Sequence, residues 1–461
     1  MGEISVKTGN NARNGGKNSL NRLIRCVCGK KIGPDPRNFN QRVSLGRNDL
    51  LIRTFPIADS QSVSTETVRK LDKFKLSDRD VLIAMTGQGS VGRVGRLSCE
   101  DGTTPYLNQR VGKFVADEEK LNIDYLYYVL STKQYQEILF LAGSGSGQPN
   151  LSPATIKSVE IPFAPYEVQC RISSILNAID EKISLNEKTN QTLEQMAQAL
   201  FKSWFVDFEP VKAKMAVLES GGSQADATLA AMSAISGKDT DALEVFEREH
   251  PEQYAELKAT AELFPSAMQD SELGDIPEGW YLQRFSNIAT LHYGKALKKT
   301  ERIEGPYSVY GSGGITGSHN SYLVEGPGII VGRKGSIGTL YWEDGKFHPI
   351  DTVYYVENKE GVPLTYLYYL MGTLNLSSMN TDAAVPGLNR DNVYRLETIN
   401  PEIAILNEFN NHVFALRNMI QRNKSSTETL TQLRDTLLPK LLSGEITLPD
   451  AEQAVSEVAN V

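Results

Sequence analysis

The sequence predicts an α+β protein: two tandem mixed α/β domains separated by two long antiparallel coiled-coil-like helices, the whole forming a pseudo-two-fold internal repeat. Three observations predict it: the length of the chain, a self-match between its halves, and two stretches with apolar residues every three and four positions. At 461 residues the chain exceeds one ordinary core, so two domains are expected. Apolar and charged fractions of 40% and 23% are those of a globular protein without a disorder-like bias.

The self-match runs through most of the chain. Thr192-Leu193-Glu194-Gln195 recurs as Thr429-Leu430-Thr431-Gln432, a shift of 237 positions. The same shift carries Ala178 onto Ala415, Ile183 onto Ile420, Asn186 onto Asn423, Leu200 onto Leu437, Pro149 onto Pro386 and Leu151 onto Leu388. Nearer the N-terminus the shift grows: 241 for Tyr125-Leu126-Tyr127-Tyr128 and Tyr366-Leu367-Tyr368-Tyr369, and 246 for Gly89-Ser90-Val91-Gly92 and Gly335-Ser336-Ile337-Gly338. It reaches 265 for Gly29-Lys30 and Gly294-Lys295. Growing offsets mean insertions in surface loops around a retained core. The order is domain, helix, domain, helix.

The helical stripes follow an a/d seam. In the first it runs Ile172, Leu176, Ile179, Ile183, Asn186, Asn190, Leu193, Ala197, Leu200, Trp204. The second runs Phe409, Val413, Leu416, Ile420, Asn423, Thr427, Leu430, Arg434, Leu437, Leu441, with Pro439 marking its end. Asn186 and Asn423 hold equivalent positions, and a polar seam residue fixes register at some cost in stability. Two independent amphipathic helices on separate cores show the same stripe; the common placement of both seams relative to their domains favours pairing. At ~1.5 Å per residue, roughly 30–38 helical residues reach about 45–57 Å, enough to space two domains.

These signals divide the chain into a first domain (1–165), a first helical spacer (166–210), an acidic linker or helical insertion (211–274), a second domain (275–400), and a second helical spacer with a C-terminal tail (401–461). Ser220 to Gly237 reads as a linker punctuated by Gly221, Gly222 and Gly237, followed by helix-like Asp241 to Leu263. The net charge of −8 alone argues against a polyanionic partner, but its distribution does not. Residues 1–165 carry 23 Lys and Arg against 16 Asp and Glu, and 166–278 carry 9 against 21. Residues 279–400 balance at 11 each, and 401–461 carry 5 against 8. A polyanion can therefore dock on the outer segments while the acidic middle faces other proteins.

Two buried strands, Val81-Leu82-Ile83-Ala84 and Gly328-Ile329-Ile330-Val331, are expected to run into glycine turns, Thr86 to Arg93 and Gly332 to Gly338. Glycine lets main chain approach a phosphate or base edge. Gln88, Ser90, Arg93, Arg333, Lys334 and Ser336 are the candidate contacts there; arginine either forks onto guanine or pairs with phosphate. Neither turn has the spacing of a nucleotide-binding Walker loop. A second candidate is Tyr307 to Asn320, where Tyr310, Ser312 and His319 sit on a loop that reads base edges or forms a plain hairpin. Lys298, Lys299 and Arg302 precede it and either meet phosphates or form a solvated face. The tyrosine clusters after Asp124 and Thr365 read as helix packing rather than base stacking.

Catalytic and metal motifs do not emerge. There is no [DNS]-P-P-[YF] methyltransferase motif, dinucleotide fingerprint, helicase signature or nuclease constellation, and five histidines form no triad. Cys26, Cys28, Cys99 and Cys170 lack the second pair of ligands that a zinc site needs and read as reduced thiols. No apolar run reaches the roughly 18 residues of a membrane span, and Met1 to Asn18 lacks a signal-peptide core, so a cytoplasmic protein is expected.

Taken with these features, the chain resembles the specificity subunit of type I restriction–modification systems over nearly its whole length. Ser308-Val309-Tyr310-Gly311-Ser312, Tyr322 to Ile330, Gly332 to Gly338 and Ile350-Asp351-Thr352 are similar to that family's target recognition domains. Ala199 to Phe208 and Gly274-Asp275-Ile276-Pro277-Glu278-Gly279-Trp280 resemble it as closely. The first domain departs from the family by a polar extension before Leu20. The resemblance implies a non-catalytic, DNA-binding subunit whose two domains each read one half of a split double-stranded target, the helices setting the spacer. It implies two methyltransferase subunits docked on the helices and motor–endonuclease subunits beyond them. S-adenosylmethionine, ATP and Mg are then used by those partners and no cofactor is held in this chain. For pairing of the helices the candidate residues are Ile179, Ile183, Asn186, Leu193, Leu200, Leu416, Ile420, Asn423, Leu430 and Leu437. A protein-binding scaffold that ignores DNA, or an orphan modulator of other systems, is the alternative.

Overall fold

The computed structural model describes residues 4–8, 54–55, 72–87, 90–99, 104–143, 149–359, 361–379 and 387–459. Cys26, Cys28, Gly29, Lys30, Gln88, Gly89 and Pro386 lie outside them. Two compact units emerge, Met1–Asn186 with Ser425–Val461, and Glu187–Lys424. The boundaries cut through both long helices, so each unit holds one sheet domain and one half of each helix. Among the described residues no helix is long and apolar enough to cross a membrane.

In the first unit a mixed sheet is built from β1 (Ile4–Thr8), β2 (Thr54–Phe55), β3 (Val81–Ala84), β4 (Val94–Leu97) and β5 (Val111–Ala116), in the order β1-β5-β3-β4-β2. All pairings are antiparallel except β2 with β4. Helices α1 (Ile123–Ser131) and α2 (Lys133–Gly143) follow, then the short α3 (Pro153–Lys157). Asn122 opens α1 by accepting from the Tyr125 amide at 2.9 Å, and Ser152 caps α3 in the same way. Helix α4 (Tyr166–Phe205) supplies its residues up to Asn186, and α11 (Ile403–Ser443) its residues from Ser425, followed by α12 (Leu448–Ala459). Val81, Ile83, Val94, Tyr125, Leu126, Leu176, Ile179, Ile183, Leu430 and Leu437 share one core, so the sheet, α1 and the helix pair fold as one body.

The second unit begins with the rest of α4 and four helices: α5 (Glu209–Glu219), α6 (Gln224–Ser236), α7 (Thr240–Glu249) and α8 (Pro251–Leu263). The stretch read as a linker, Ser220 to Gly237, is therefore a turn followed by the helix α6. A reciprocal Ser223/Asp226 capping box starts α6 and left-handed Gly237 ends it. The single helix expected over Asp241 to Leu263 is two, because Pro251 has no amide to continue α7. Strands β6 (Met268–Gln269), β7 (Ile276–Pro277) and β8 (Tyr281–Arg284) lead into β9 (Ala289–Tyr293). A hairpin of β10 (Tyr307–Gly311) and β11 (Gly314–His319) comes next, then β12 (Gly328–Gly332), β13 (Leu340–Glu343), β14 (Phe347–Pro349) and β15 (Val353–Asn358). The main sheet runs β13-β12-β15-β9, entirely antiparallel, beside a β11-β10-β14 sheet. Helices α9 (Leu364–Thr373) and α10 (Arg390–Tyr394) and strand β16 (Glu397–Asn400), paired with β8, close the domain.

Aromatic packing joins this domain to its helices. Phe205 lies 5.1 Å from Tyr366, 5.2 Å from Phe409 and 6.0 Å from Trp280, ring centre to ring centre. Each fully buried side chain of this size contributes roughly 1.5–3 kcal/mol. Phe208 adopts φ +54°, a left-handed conformation costly for a phenylalanine, and its ring is held against Trp280 at 5.8 Å.

The helices run antiparallel within each unit. In the first, Ile179, Ile183, Asn186, Leu430 and Leu437 are buried, and the Asn186 amide donates to Ser426 and Thr427 at 3.3 and 3.4 Å. In the second, Leu193 and Ile420 are buried, Leu200 and Leu416 partly so, and Asn423 donates to Asn190 at 2.9 Å. Pro439 does not end α11, which continues to Ser443. Leu437 and Leu438 are buried and Leu441 and Leu442 pack on the same core, and that burial outweighs the backbone bond proline removes.

A polar lock ties each sheet domain to its helices. In the first unit Arg96 of β4 donates to Asp124 at 3.0 Å, to Asn177 at 2.6 Å and to Asp180 at 3.2 Å. Its guanidinium lies 4.6 Å from the Tyr127 ring, and Arg434 of α11 reaches Asp180 at 2.6 Å. In the second unit Arg417 of α11 lies 4.1, 4.8 and 5.8 Å from the rings of Trp342, Tyr368 and Tyr369, and 3.4 Å from Glu194 of α4. Burial works against the Asp124 charge, but hydrogen bonds from Asn177 and Arg79 and the nearby Arg96 outweigh it and hold its pKa below the usual carboxylate value. A carboxylate with a depressed folded pKa adds stability above about pH 4 that is lost as pH falls through the folded value. Asp124→Asn should therefore flatten the acid limb of the stability curve below about pH 4 and cost about 1.5–3 kcal/mol at neutral pH. Denaturant titrations across pH read both effects, and an unchanged acid limb would contradict the assignment.

Candidate nucleic-acid interface

The glycine turns leave the inner strands of both sheets. In the second unit the Gly332 amide donates to Thr339 and the Gly338 amide to Gly332, each at 2.8 Å. Arg333 and Lys334 donate backbone bonds to Thr352 at 2.9 and 3.1 Å, and Leu388 donates to Arg333 at 2.9 Å. The turn is thus fixed by main chain, and its side chains are free to face outward. In the first unit Gly92 donates to Ala84 at 2.8 Å, Met85 to Arg110 at 2.8 Å and Leu151 to Met85 at 2.7 Å. The construction is the same with two more residues in the turn. Met85 and Thr86 hold the places of Arg333 and Lys334, and Arg93 that of Thr339.

That equivalence moves one expectation. Arg93 is not at the site of Arg333 but on the far leg of the turn, half-buried, where desolvation lowers its pKa. The exposed arginine beside the first turn is Arg110, in the place of Thr352, which sequence reasoning missed. Ser90 bonds back to the Thr86 carbonyl at 3.3 Å, and Gln88 lies outside the described residues.

In the second unit the Arg333 guanidinium lies 4.7 Å from the Tyr293 ring and donates to the Asp351 carbonyl at 3.0 Å. Arg390 approaches the same ring at 5.2 Å, and its buried Nε has no hydrogen-bond partner. Tyr293 is 48% exposed, and Lys334 and Ser336 of the turn are exposed as well. Ser312 adjoins the turn, its carbonyl accepting from Thr339 at 2.8 Å and Tyr341 at 3.2 Å. Among the described residues no carboxylate pairs with Arg333, Lys334 or Arg390, whereas Arg96, Arg417 and Arg434 are all neutralised. The structure thus brings Ser312, Arg333, Lys334 and Ser336 together and adds Tyr293 and Arg390, a surface able to take a phosphate or a planar base edge.

The rest of the second candidate stands apart. Tyr307 to His319 is the β10–β11 hairpin, not a flexible loop. Tyr310 is buried and donates to Glu343 at 2.8 Å; His319 is buried and accepts from the Ile303 amide at 3.1 Å through Nδ1. Neither can contact a ligand without leaving the hairpin. Lys298 and Lys299 are exposed, with Lys298 3.5 Å from Glu301, and Arg302 is bound to Thr316.

A family model described as the type I restriction modification DNA specificity domain matches residues 42–195 and 277–436. The type I restriction enzyme HindI specificity subunit of Haemophilus influenzae is 30% identical over 369 residues, covering 72% of this chain and 80% of that protein. The MjaIX specificity subunit of Methanocaldococcus jannaschii is 44% identical over 89 residues, 19% of this chain and 21% of that protein. Among solved structures, the type I restriction–modification S subunit from M. genitalium covers 83% of this chain and 86% of its own at 19% identity, with a TM-score of 0.47.

The tightness of the turns generates a contrast between frame and surface. A Cβ at Gly338 falls 2.4 Å from the Ser377 nitrogen and one at Gly92 falls 2.7 Å from the Leu139 carbonyl carbon, both at positive φ. Gly338→Ala and Gly92→Ala should each cost about 1–3 kcal/mol or more. Lys334→Ala should leave the melting temperature within a degree or so, since exposed substitutions change stability by less than about 0.5 kcal/mol. Thermal melts of the three variants decide it, and a stable Gly338→Ala protein would contradict the packing.

Proposed function

Because the chain belongs to the type I restriction–modification DNA specificity family, we propose that each sheet domain reads one half of a bipartite double-stranded DNA target and that the helices set the spacer between the halves. The observation that carries this reading is the pair Arg333 and Arg390 at the exposed Tyr293, with Lys334 next along the turn, cationic and without carboxylate partners among the described residues. Arg96, Arg417 and Arg434 are matched by acid; among the described residues Arg333, Lys334 and Arg390 are not, and their counter-charge is left to a ligand. Phosphate contacts give affinity and register, and forked contacts to base edges give sequence. Arg110 and the turn after β3 supply the corresponding surface in the first unit.

The chain itself is read as non-catalytic. Methyltransferase subunits dock on the helical regions and use S-adenosylmethionine to methylate adenine, and motor–endonuclease subunits add ATP- and Mg-dependent translocation and cutting. The acidic segment between the domains, with 21 Asp and Glu against 9 Lys and Arg over 166–278, suits protein partners rather than DNA. This assembly works in the cytoplasm, where its DNA substrate is.

Co-expression with a methyltransferase subunit, followed by long-read mapping of adenine methylation, should give one two-part motif with a fixed spacer. Exchange of residues 275–400 between relatives should change one half of that motif only. In the purified complex Lys334→Ala should weaken binding about tenfold and reduce the slope of log K against log salt by about 1. A complex with neither methylation nor salt-sensitive DNA binding would leave a protein scaffold as the better account.

A further inference from the structure

Superposing the repeat on the two polar locks exposes an exchange of charge. The shift of 246 that carries Gly92 onto Gly338 carries Arg96 onto Trp342, and the helical shift of 237 carries Asp180 onto Arg417. The tyrosine pair is common to both: Tyr127 and Tyr128 in one domain, Tyr368 and Tyr369 in the other. In the first unit the guanidinium comes from the sheet and the carboxylate from the helix. In the second the guanidinium comes from the helix, and an indole stands on the sheet. Either way a guanidinium lies over a tyrosine pair: Arg96 joins β4, α1 and α4 in the first unit, with α11 added through Arg434 on Asp180, and Arg417 joins β13, α9, α11 and α4 in the second.

Apolar contact alone lets a sheet slide or turn on a helix, because it has no preferred direction. A guanidinium does have direction: its fork and its flat face each accept one orientation of carboxylate and ring. The first lock is closed further by the Tyr128 hydroxyl, 2.8 Å from Asp180 and 2.9 Å from Asn177. The second is closed by the Tyr369 hydroxyl, 3.4 Å from both Arg417 and Glu194.

We propose that Arg96 and Arg417 are positioning residues that fix the angle of each recognition domain on its helix pair, and thereby the strictness with which the complex accepts one spacer length between half-sites. The inference rests on the bipartite reading above. One base pair displaces a half-site by about 3.4 Å along the duplex and by about a tenth of a turn, so a domain able to tilt tolerates a wrong spacer that a locked one rejects.

The test uses the chain in complex with its methyltransferase subunits and duplexes carrying the motif with its native spacer or one base pair more or less. Arg96→Met and Arg417→Met remove the guanidinium; Tyr128→Phe and Tyr369→Phe keep the packing and remove only the hydroxyl, so that a folded variant of each lock is in hand. Each variant is assayed after circular dichroism and thermal melts show it folded. The expected result is that binding to the native spacer falls little, while preference over the altered spacers falls on the order of fivefold or more, with half-site sequences unchanged. Arg96→Lys should restore less than the full preference, because an ammonium lacks the fork. Folded variants that keep the wild-type spacer preference would overturn the inference and leave the bipartite reading intact. A wild-type complex that binds no two-part site would overturn both.

Discussion

A helix of forty residues whose sequence is half polar holds together in water only if something covers its apolar stripe. Here the stripe of α4 is covered twice, by different stretches of α11 and by the aromatic floor of a sheet domain in each unit. Ile179 and Ile183 meet the same core as Leu430 and Leu437, and Phe201, Trp204 and Phe205 meet Phe409 and Trp280. Everything else depends on that coverage. The sheets gain a surface to fold against, and even a proline at position 439 is carried within the helix because its neighbours are held from outside.

The duplication is faithful in frame and loose in content. Both domains hang a glycine turn on backbone bonds, both stand a tyrosine pair against the helices, and both hold a guanidinium between sheet and helix. What occupies each place differs: Arg96 against Trp342, Asp180 against Arg417, Thr86 against Lys334, Arg110 against Thr352. The exchange of Asp180 for Arg417 is compensated nearby. Where the helix lost its acid, Glu194 from the opposite helix supplies one.

This pattern explains how much could be read in advance. Periodic burial is written directly in residue type, so the seams, the two strands entering glycine turns and the alternation of sheet domains with long helices were legible from the sequence. Arg96 and Arg417 were not, because a self-match registers likeness and the lock survives through unlike residues. The two extra residues in the first turn were hidden for a related reason: Gly-Ser-Val-Gly and Gly-Ser-Ile-Gly match whatever precedes them, and only the backbone bonds from Met85 and Arg333 show where the offset changes. Tyr293 and Arg390 come together from distant segments that carry no motif. Tyr310 and His319 looked exposed because glycines and serines surround them, while the hairpin buries both.

The turns are anchored through amides and carbonyls, and only glycine is demanded of the sequence at their tightest points. The letters displayed there are therefore under almost no folding constraint, and a turn can lengthen by two residues without its anchors moving. A protein whose task is to distinguish one string of bases from another gains from such an arrangement a vocabulary that changes faster than its grammar. On the proposed reading, new recognition arises by substitution at positions such as 334 and 336 while the frame that presents them is inherited unaltered.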